Sequence, residues 1–179
     1  SLEWYASRDA MMSLALFEKN IKHEIVNLSN TGTQTDPGGL SGTWQVTTTQ
    51  AQNASTAKVR GLELGLADLH FDFLPAPFDR FGATFNATLL DMDGPAIAMN
   101  DGSRRTLPML TGAARSIFNA SLMYSDGAFS AQLSANRTGK MPISFATDNP
   151  ANDVYYARLQ TYDAQLRYAL DRHLSFLVQ

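Results

Sequence analysis

Long runs in which apolar and polar residues alternate are the feature of this sequence that most limits its fold. Four such runs begin at Phe81, Phe118, Phe129 and Thr161. In the run from Phe129, Phe, Ala and Leu take every second position, and Ser, Gln and Asn take the positions between them. Successive side chains of a strand point to opposite faces, whereas a helix would need apolar residues three and four positions apart. The four runs are therefore predicted to be strands of an antiparallel all-β protein, each with one apolar and one polar face.

The length of these runs separates them from ordinary strands. Each covers about 9–13 residues, against the ~5–6 residues that are typical in globular proteins. A tilted strand needs about 9–11 residues to cross a bilayer. No uninterrupted apolar run exceeds four residues, which excludes a membrane-spanning helix. It does not exclude a membrane barrel, because there only every second side chain faces lipid.

The connections between the runs alternate between short turns and long polar stretches. Short turns are expected at 6–10, 75–80, 125–128 and 171–172, and long connections at Asn27–Thr43, Asp93–Gly112 and Met141–Ala157. Outer-membrane barrels have short turns on one side of the membrane and long loops on the other. Since sequential hairpins place alternate connections at opposite ends of a sheet, the three long connections should emerge together at one end.

The alternation also predicts the number of strands and the face of the sheet on which each side chain lies. About six complete strands are expected, with fragments at Ser1–Tyr5 and His173–Gln179. Within residues 58–73 the apolar positions change parity after Leu66, and a bulge near Ala67–Asp68 would explain the change. Because a one-residue slip would invert a whole strand, two sets of residues should lie on opposite faces. The first set is Phe85, Leu122, Leu133, Leu166 and Tyr168, and the second is Asn86, Asn119, Gln132 and Gln165.

Charge and cysteine content exclude several function classes. Charged residues make up 17% of the chain, against about 25% in typical domains, and the net charge is −3 with acids and bases interspersed. No nucleic-acid partner is therefore expected. The absence of cysteine excludes disulfides and thiol catalysis. Asp91-Met-Asp-Gly94 matches only the start of a calcium loop, and no catalytic signature is present. We therefore expect no metal, no cofactor and no enzymatic activity.

Several segments, taken in order, match the strands of one known family. They are Leu2-Glu-Trp-Tyr5, Leu14–Lys22, Gln52-Asn-Ala54, Ala57–Leu64 with its Arg-Gly-Leu-Glu sequence, Phe81–Asp91, Leu107-Pro108 and Phe118–Tyr124. In succession and spacing they resemble the C-terminal half of the β-barrel of TonB-dependent receptors, over nearly the whole chain. The Leu-Glu-Trp-Tyr opening is similar to the branch found in Caulobacter-like and Xanthomonas-like bacteria, which is often linked with carbohydrate uptake.

The resemblance implies a gated importer of the bacterial outer membrane, with a barrel of about 22 strands and a plugged lumen. Residues 1–179 would then be part of that barrel domain, truncated at both ends and without the plug domain. The implied partners are outer-membrane lipid, the plug domain of the same parent chain, and TonB through the parent's N-terminal part. The implied cargo is a scarce small-molecule nutrient of the oligosaccharide or iron-siderophore class.

Candidate ligand-binding residues lie in the three long connections. Trp44 closes the first connection, Arg104 and Arg105 lie in the second, and Tyr155 and Tyr156 in the third. Aromatic rings stack on sugar faces and guanidinium groups donate forked hydrogen bonds, so these residues suit an oligosaccharide or a siderophore. Each is also compatible with an ordinary solvated loop.

The Arg-Gly-Leu-Glu sequence also contains two charged residues. Strict alternation places Arg60 and Glu63 on opposite faces, with Glu63 towards the lumen in a structural role.

Two other classes of protein remain open at this level. A soluble β-sandwich or small barrel, serving as the carbohydrate-binding module of a secreted protein, would also contain alternating strands. The third possible class is an enzyme. Solubility separates the first two, because a lipid-facing barrel segment should need detergent whereas a soluble module should be monomeric in buffer.

Overall fold

The computed structural model describes residues 1–179 and consists almost entirely of β-structure. The strands are β1 (Leu2–Tyr5), β2 (Ala10–Ile21), β3 (Ile25–Thr35), β4 (Thr43–Asn53), β5 (Ala57–Asp68), β6 (Phe81–Asp93), β7 (Ala96–Ala98), β8 (Arg104–Thr106), β9 (Ser116–Asp126), β10 (Phe129–Thr138), β11 (Met141–Ala146), β12 (Val154–Tyr156), β13 (Leu159–Ala169) and β14 (Ser175–Val178). Single turns of 3-10 helix occur at Pro37–Gly39, Phe78–Arg80 and Pro150–Asn152. None of the helices is long and apolar enough to cross a membrane.

Eight strands form one antiparallel sheet in the order β1-β2-β5-β6-β9-β10-β13-β14. Six of them are long, from ten residues in β10 to thirteen in β6, and the two at the edges have four residues each. This arrangement confirms the expected all-β fold, with six complete strands and a fragment at each end. The sheet remains open at β1 and β14, so the barrel is not closed within this segment.

The register confirms the expected division of the sheet into two faces. Leu133 lies opposite Leu122, whereas the adjacent Gln132 lies opposite Gln165. Directly opposed residues of antiparallel strands share a face. We call the side with Leu133 the apolar face and the side with Gln132 the polar face. Both expected sets fall on these faces without exception.

The bulge expected near Ala67–Asp68 is absent, and that prediction was wrong. Strand β5 pairs without a break up to Asp68, both with β2 and with β6. The parity changes because the chain leaves the sheet after Asp68. The backbone N–H of Leu69 then donates to the carbonyl of Asp9, at 3.1 Å. The connection between β5 and β6 consequently spans residues 69–80, which is longer than the turn expected at 75–80.

The long connections meet at one end of the sheet, as expected from hairpin topology. Strand β11 in the third connection pairs with β3 in the first, and Phe145 lies opposite Leu28 in this parallel pair. At the other end, Arg80 and Asp126 form an ion pair of 2.5 Å that joins the β5–β6 connection to the β9–β10 hairpin. We call these two ends the loop end and the turn end.

Asn27–Thr43 is not a loop along most of its length, in contrast to the expectation. Strand β3 runs to Thr35 and forms a hairpin with β4, whose register is continuous from Ile25↔Asn53 to Thr35↔Thr43. Thr, Gln and Asn occupy both faces of the outer part of this hairpin, where nearly every side chain is exposed. The alternation that identifies a half-buried strand is therefore missing there.

The buried core lies at the loop end, where the long connections pack together and against the ends of β5 and β6. One cluster combines Val26, Leu28, Ile97, Leu107 and Phe145, which come from all three long connections. A second cluster combines Ala57, Val59, Met92, Met109 and Leu110. Val59 lies opposite Lys19 on the polar face, so the second connection is packed against that face. These clusters hold the three connections over one side of the sheet.

Candidate ligand-binding site

A cavity of about 700 Å³ lies at the loop end, between the β3–β4 hairpin and the β7–β8 hairpin. The register of the first hairpin explains which side chains line it. Gln52 lies opposite Val26, Gln50 opposite Leu28, and Thr48 opposite Asn30, so one hairpin face carries all six. The side chains of Val26 and Leu28 on this face are apolar and pack into the core. The hydroxyl and amide side chains of Thr48, Gln50 and Gln52 line the cavity beside them.

The cavity is polar but nearly uncharged. Arg104 is the one charged side chain in its lining, and no carboxylate lines it. Across the cavity, Nδ2 of Asn100 donates to Oδ1 of Asn30 at 2.8 Å. Amide groups both donate and accept hydrogen bonds, whereas a guanidinium group only donates. The lining can therefore bind a ligand rich in hydroxyl or carbonyl groups, with room for one negative charge at Arg104.

Trp44 lies on the same face of the hairpin as the cavity lining, nearer to the hairpin tip. It is opposite Gln34, two residue pairs beyond Gly32 and Val46. Its indole Nε1 donates to the carbonyl of Ser41 at 3.2 Å, and the ring is half exposed. Of the five predicted site residues, Arg104 lines the cavity and Trp44 lies outside the lining on the same face of the hairpin.

Arg105 is held by contacts within the protein. Its Nη1 and Nη2 donate to Oδ1 and Oδ2 of Asp153 at 3.0 and 2.5 Å, and the Asp153 side chain is only 5% exposed. The backbone N–H of Ala146 also donates to Oδ1 of Asp153, at 3.0 Å. The hydrogen bonds that Arg105 donates to Asp153 raise the pKa of Arg105 above its usual value. Arg105 therefore connects the second long connection to the third.

The ring of Tyr155 is also packed against other side chains, whereas the ring of Tyr156 is exposed. The ring of Tyr155 meets Phe145 edge-on, with centroids 6.3 Å apart, and Nζ of Lys140 lies 4.8 Å from its centroid. Burial and the nearby Asp153 carboxylate raise the pKa of Tyr155. Tyr156 follows on the opposite side of β12. Of the five predicted residues, Trp44 and Arg104 therefore lie on the cavity side of the hairpins. Arg105 and Tyr155 are packed between the long connections, and Tyr156 is exposed to solvent.

Membership of a known family follows from a match along the whole chain. The β-barrel model of the TonB-dependent receptor-like family matches residues 1–179. The chain belongs to this family. No curated protein matches its sequence.

Solved structures of siderophore, ferric-catecholate and ferric enterobactin receptors share the fold of this segment. The siderophore receptor PiuA from Acinetobacter baumannii is 17% identical, with a TM-score of 0.58 over 95% of this chain and 21% of its own. The ferric-catecholate import receptor Fiu from E. coli K12 is 17% identical, with a TM-score of 0.59 over 98% of this chain and 21% of its own. A ferric enterobactin receptor (PfeA) mutant from Pseudomonas aeruginosa is 17% identical, with a TM-score of 0.53 over 94% and 22%. The present chain therefore spans about a fifth of each of these receptors.

Within this receptor segment, Arg60 and Glu63 lie on opposite faces, as the alternation predicts. Glu63 is opposite Ala15 on the polar face, and Arg60 is opposite Glu18 on the apolar face. Nε of Arg60 donates to Oε2 of Glu18 at 3.1 Å. The two residues of the Arg-Gly-Leu-Glu sequence do not form a pair.

Five amide side chains of the cavity lining were missed by the sequence analysis, namely Asn30, Gln50, Gln52, Asn53 and Asn100. A signal for two of them is present in the sequence. Recognition of residues 43–53 as a hairpin strand would have placed every second residue on one face. That face includes Gln50 and Gln52 together with Trp44. Asn100 has no such signal, because it reaches the cavity from the second connection. Asp91 and Asp93 are residues of β6, and no group of three or more His, Asp or Glu side chains is placed to hold a metal ion.

Proposed function

We propose that residues 1–179 are part of the barrel domain of a TonB-dependent receptor in the bacterial outer membrane. The receptor would import a scarce small molecule, either an oligosaccharide or an iron-siderophore, and would not be an enzyme. Its partners would be outer-membrane lipid, the plug domain of the same parent chain, and TonB through the parent's N-terminal part. The exposed apolar face of the sheet is the observation that best supports this proposal.

The apolar face is too extensive for a surface in water. Leu16 is 74% exposed, Leu133 is 58% exposed and Tyr162 is 73% exposed, and no second sheet covers them. Large contiguous apolar patches of this kind mark membrane or protein interfaces. A soluble sandwich, the alternative considered above, would bury this face against another sheet. A lipid environment therefore accounts for the face better than water does.

The loop-end cavity supports import of a hydroxyl-rich or carbonyl-rich molecule. Its amide lining suits an oligosaccharide, in keeping with the Caulobacter-like and Xanthomonas-like branch that the Leu-Glu-Trp-Tyr opening resembles. The fold neighbours described as siderophore and ferric-catecholate receptors favour an iron-siderophore instead. Both cargo classes remain within the proposal.

Uptake by the full-length receptor tests the proposal. Replacing Trp44, Tyr155 and Tyr156 by Ala, or Arg104 and Arg105 by Gln, should weaken uptake at limiting nutrient and leave the barrel assembled. Large aromatic and arginine anchors typically contribute ~1 kcal/mol or more to binding, which is about a fivefold change in affinity. Growth on candidate oligosaccharides and ferric siderophores would be measured. Normal growth of all these variants at limiting nutrient would contradict the assignment.

The two arginines provide a matched pair for this experiment. Arg104 lines the cavity, whereas Arg105 is bound to Asp153. Arg104→Gln should lower uptake without loosening the long connections. Arg105→Gln should make those connections more sensitive to protease, because it leaves the buried Asp153 carboxylate unpaired. Equal protease sensitivity of the two variants would contradict this division of roles.

A further inference from the structure

One face of the β3–β4 hairpin pairs its polar side chains with each other. Oγ1 of Thr31 lies 2.8 Å from Oγ1 of Thr47, which is hydrogen-bond distance. Nε2 of Gln45 donates to Oγ1 of Thr33 at 3.0 Å. These four residues alternate along the strands with those that line the cavity, so they belong to the face that is turned away from it.

The other face of the hairpin carries amide groups that are free. We call this side, which contains Asn30 and Gln50, the cavity face. The amides of Gln34, Gln50 and Gln52 are exposed there and have no hydrogen-bond partner within the protein. Because an amide both donates and accepts hydrogen bonds, these side chains offer paired donors and acceptors along the strands.

A gap separates the cavity lining from Trp44 on the cavity face. Gly32 and Val46 are opposite each other at this point, and nothing lies within 4 Å of a Cβ at residue 32. Trp44 is at the far side of the gap, where the hydrogen bond from its Nε1 to the carbonyl of Ser41 fixes the indole ring. The ring is half exposed. The gap therefore leaves room for a flat group beside a fixed aromatic ring.

The hairpin is almost without charge. Asp36 is the one charged residue between Ile25 and Asn53, and it lies at the tip, where its Oδ1 accepts from the backbone N–H of Gly42 at 2.6 Å. Arg104 is the one charged side chain in the cavity lining. A ferric catecholate carries several negative charges and would need several cationic partners to replace its hydration. An uncharged, hydroxyl-rich ligand needs only hydrogen bonds, which the free amides supply.

We propose that the cavity face binds an uncharged linear oligosaccharide, with one end in the cavity and a later sugar ring stacked on Trp44 above Gly32. The amides would form hydrogen bonds with the sugar hydroxyls, and the indole would pack against the C–H face of a ring. From Gln52 to Trp44 the strand extends over eight residues, which is ~27 Å in an extended strand. This length suits a chain of several sugars better than a compact iron complex.

The inference rests on the proposed function and chooses between its two cargo classes. Isothermal titration calorimetry of the purified full-length receptor in detergent tests it. The probes are linear glucose, xylose, mannose and galactose oligosaccharides of two and of six sugars, and ferric enterobactin. At least one hexasaccharide should bind, and more tightly than its own disaccharide. Its affinity should not change with salt concentration, because the ligand carries no charge to be screened.

Trp44→Ala should weaken binding of the hexasaccharide about fivefold, as expected for loss of an aromatic anchor. It should leave disaccharide binding unchanged, because a disaccharide held in the cavity does not reach Trp44. Gly32→Val fills the gap with a residue that suits a strand, so it should have the same selective effect. Thr35→Val is the matched control, since Thr35 is opposite Thr43 on the face turned away from the cavity. This variant should bind both chain lengths like the wild type.

The possible failures are distinct from one another. Binding of ferric enterobactin without binding of any oligosaccharide would overturn the inference and leave the proposed receptor function intact. Equal affinity for the two chain lengths, an equal loss in Trp44→Ala and Thr35→Val, or the absence of binding by every probe would also overturn it. Normal assembly of Leu133→Arg in outer membranes would instead contradict the proposed function.

Discussion

Gly61 shows how one residue shapes the polar face of the barrel wall. The ring of Phe17, on the neighbouring strand, lies directly over Gly61, where a Cβ atom would collide with it. In this position Phe17 packs against the second core cluster beneath the long connections. The absence of a side chain at residue 61 therefore lets an aromatic ring link the sheet to the loop end.

Gly61→Ala is expected to destabilise the barrel. The added methyl group would displace the Phe17 ring from the core cluster, and overpacking of this kind typically costs about 1–3 kcal/mol. The midpoint of heat-induced loss of the folded barrel band on gels would measure it. Gly32→Ala is the matched control, because nothing lies within 4 Å of a Cβ at that position. The double variant Gly61→Ala/Phe17→Ala should recover part of the loss, and a midpoint equal to wild type in Gly61→Ala would contradict the packing role.

The buried carboxyl group of Glu24 is expected to make the stability of the protein depend on pH. It is buried between β2 and β3, its Oε2 has no hydrogen-bond partner, and burial raises its pKa above the usual carboxyl range. An acid whose pKa is higher in the folded state than in the unfolded state reduces stability as pH rises above the unfolded value. Glu24→Gln should therefore raise the unfolding midpoint at pH 7, and this gain should shrink towards pH 4. A gain of the same size at both pH values would contradict the explanation.

At the scale of elements, the three long connections behave as one packed unit. Phe145 is fully buried in β11 and contacts core residues from the first and second connections. The β11–β3 pairing, the Arg105–Asp153 ion pair and the Asn100–Asn30 hydrogen bond join the same three segments. The cavity walls come from different connections, so the cavity depends on this joint packing.

Phe145→Ala should open the loop end and leave the sheet intact. Loss of a buried phenylalanine typically costs 3–5 kcal/mol, because it creates a cavity as well as removing apolar contacts. Limited proteolysis should cut within Asp93–Gly112 and Met141–Ala157 much faster than in the wild type, while the barrel still assembles. Tyr156→Ala, at an exposed position of β12, should leave the cleavage rates unchanged. If Phe145→Ala is cleaved no faster than wild type, the connections are not held by this core.

At the scale of the whole molecule, the sheet has no apolar core of its own and relies on its surroundings. Its buried residues are concentrated at the loop end, and large apolar side chains are exposed along the apolar face. Both edge strands have unpaired backbone groups on their outer sides, which further strands of a closed barrel would pair. The segment is thus suited to be one part of a barrel wall between lipid and lumen.

Leu133→Arg tests which face meets the membrane. An arginine on the lipid face near the bilayer midplane costs about 2–4 kcal/mol, so this variant should impair assembly in outer membranes. Gln132→Arg, at the next position and on the polar face, should assemble normally because the proposed function directs that face to an aqueous lumen. The amount of heat-modifiable barrel would be measured for both. Assembly of Leu133→Arg at the wild-type level would contradict a lipid-facing position.

The sequence by itself determined the six long strands of the main sheet, their two faces and the end at which the long connections emerge. These properties depend on the alternation of side chains within a strand and on hairpin connectivity, both of which are local or follow from strand order. The runs from Phe118 and Phe129 illustrate this, since their register is continuous from Phe129↔Asp126 to Thr138↔Ile117 and places Leu133 opposite Leu122 and Ala135 opposite Ala120. The family resemblance could also be read from local segments in order, because each strand carries its own pattern.

Only the tertiary structure decided what the long connections do. The hairpin of β3 and β4 lacks a buried face along much of its length, so no period marked it. Arg104 and Arg105 are adjacent in sequence, yet one lines the cavity and the other binds Asp153, 48 residues away. The partners of such residues are brought together by packing among segments that are distant in sequence. A local alternation pattern does not show which of these segments pack against each other. The cavity exists for the same reason, because Gln50, Asn100 and Arg104 become neighbours only when the connections pack together.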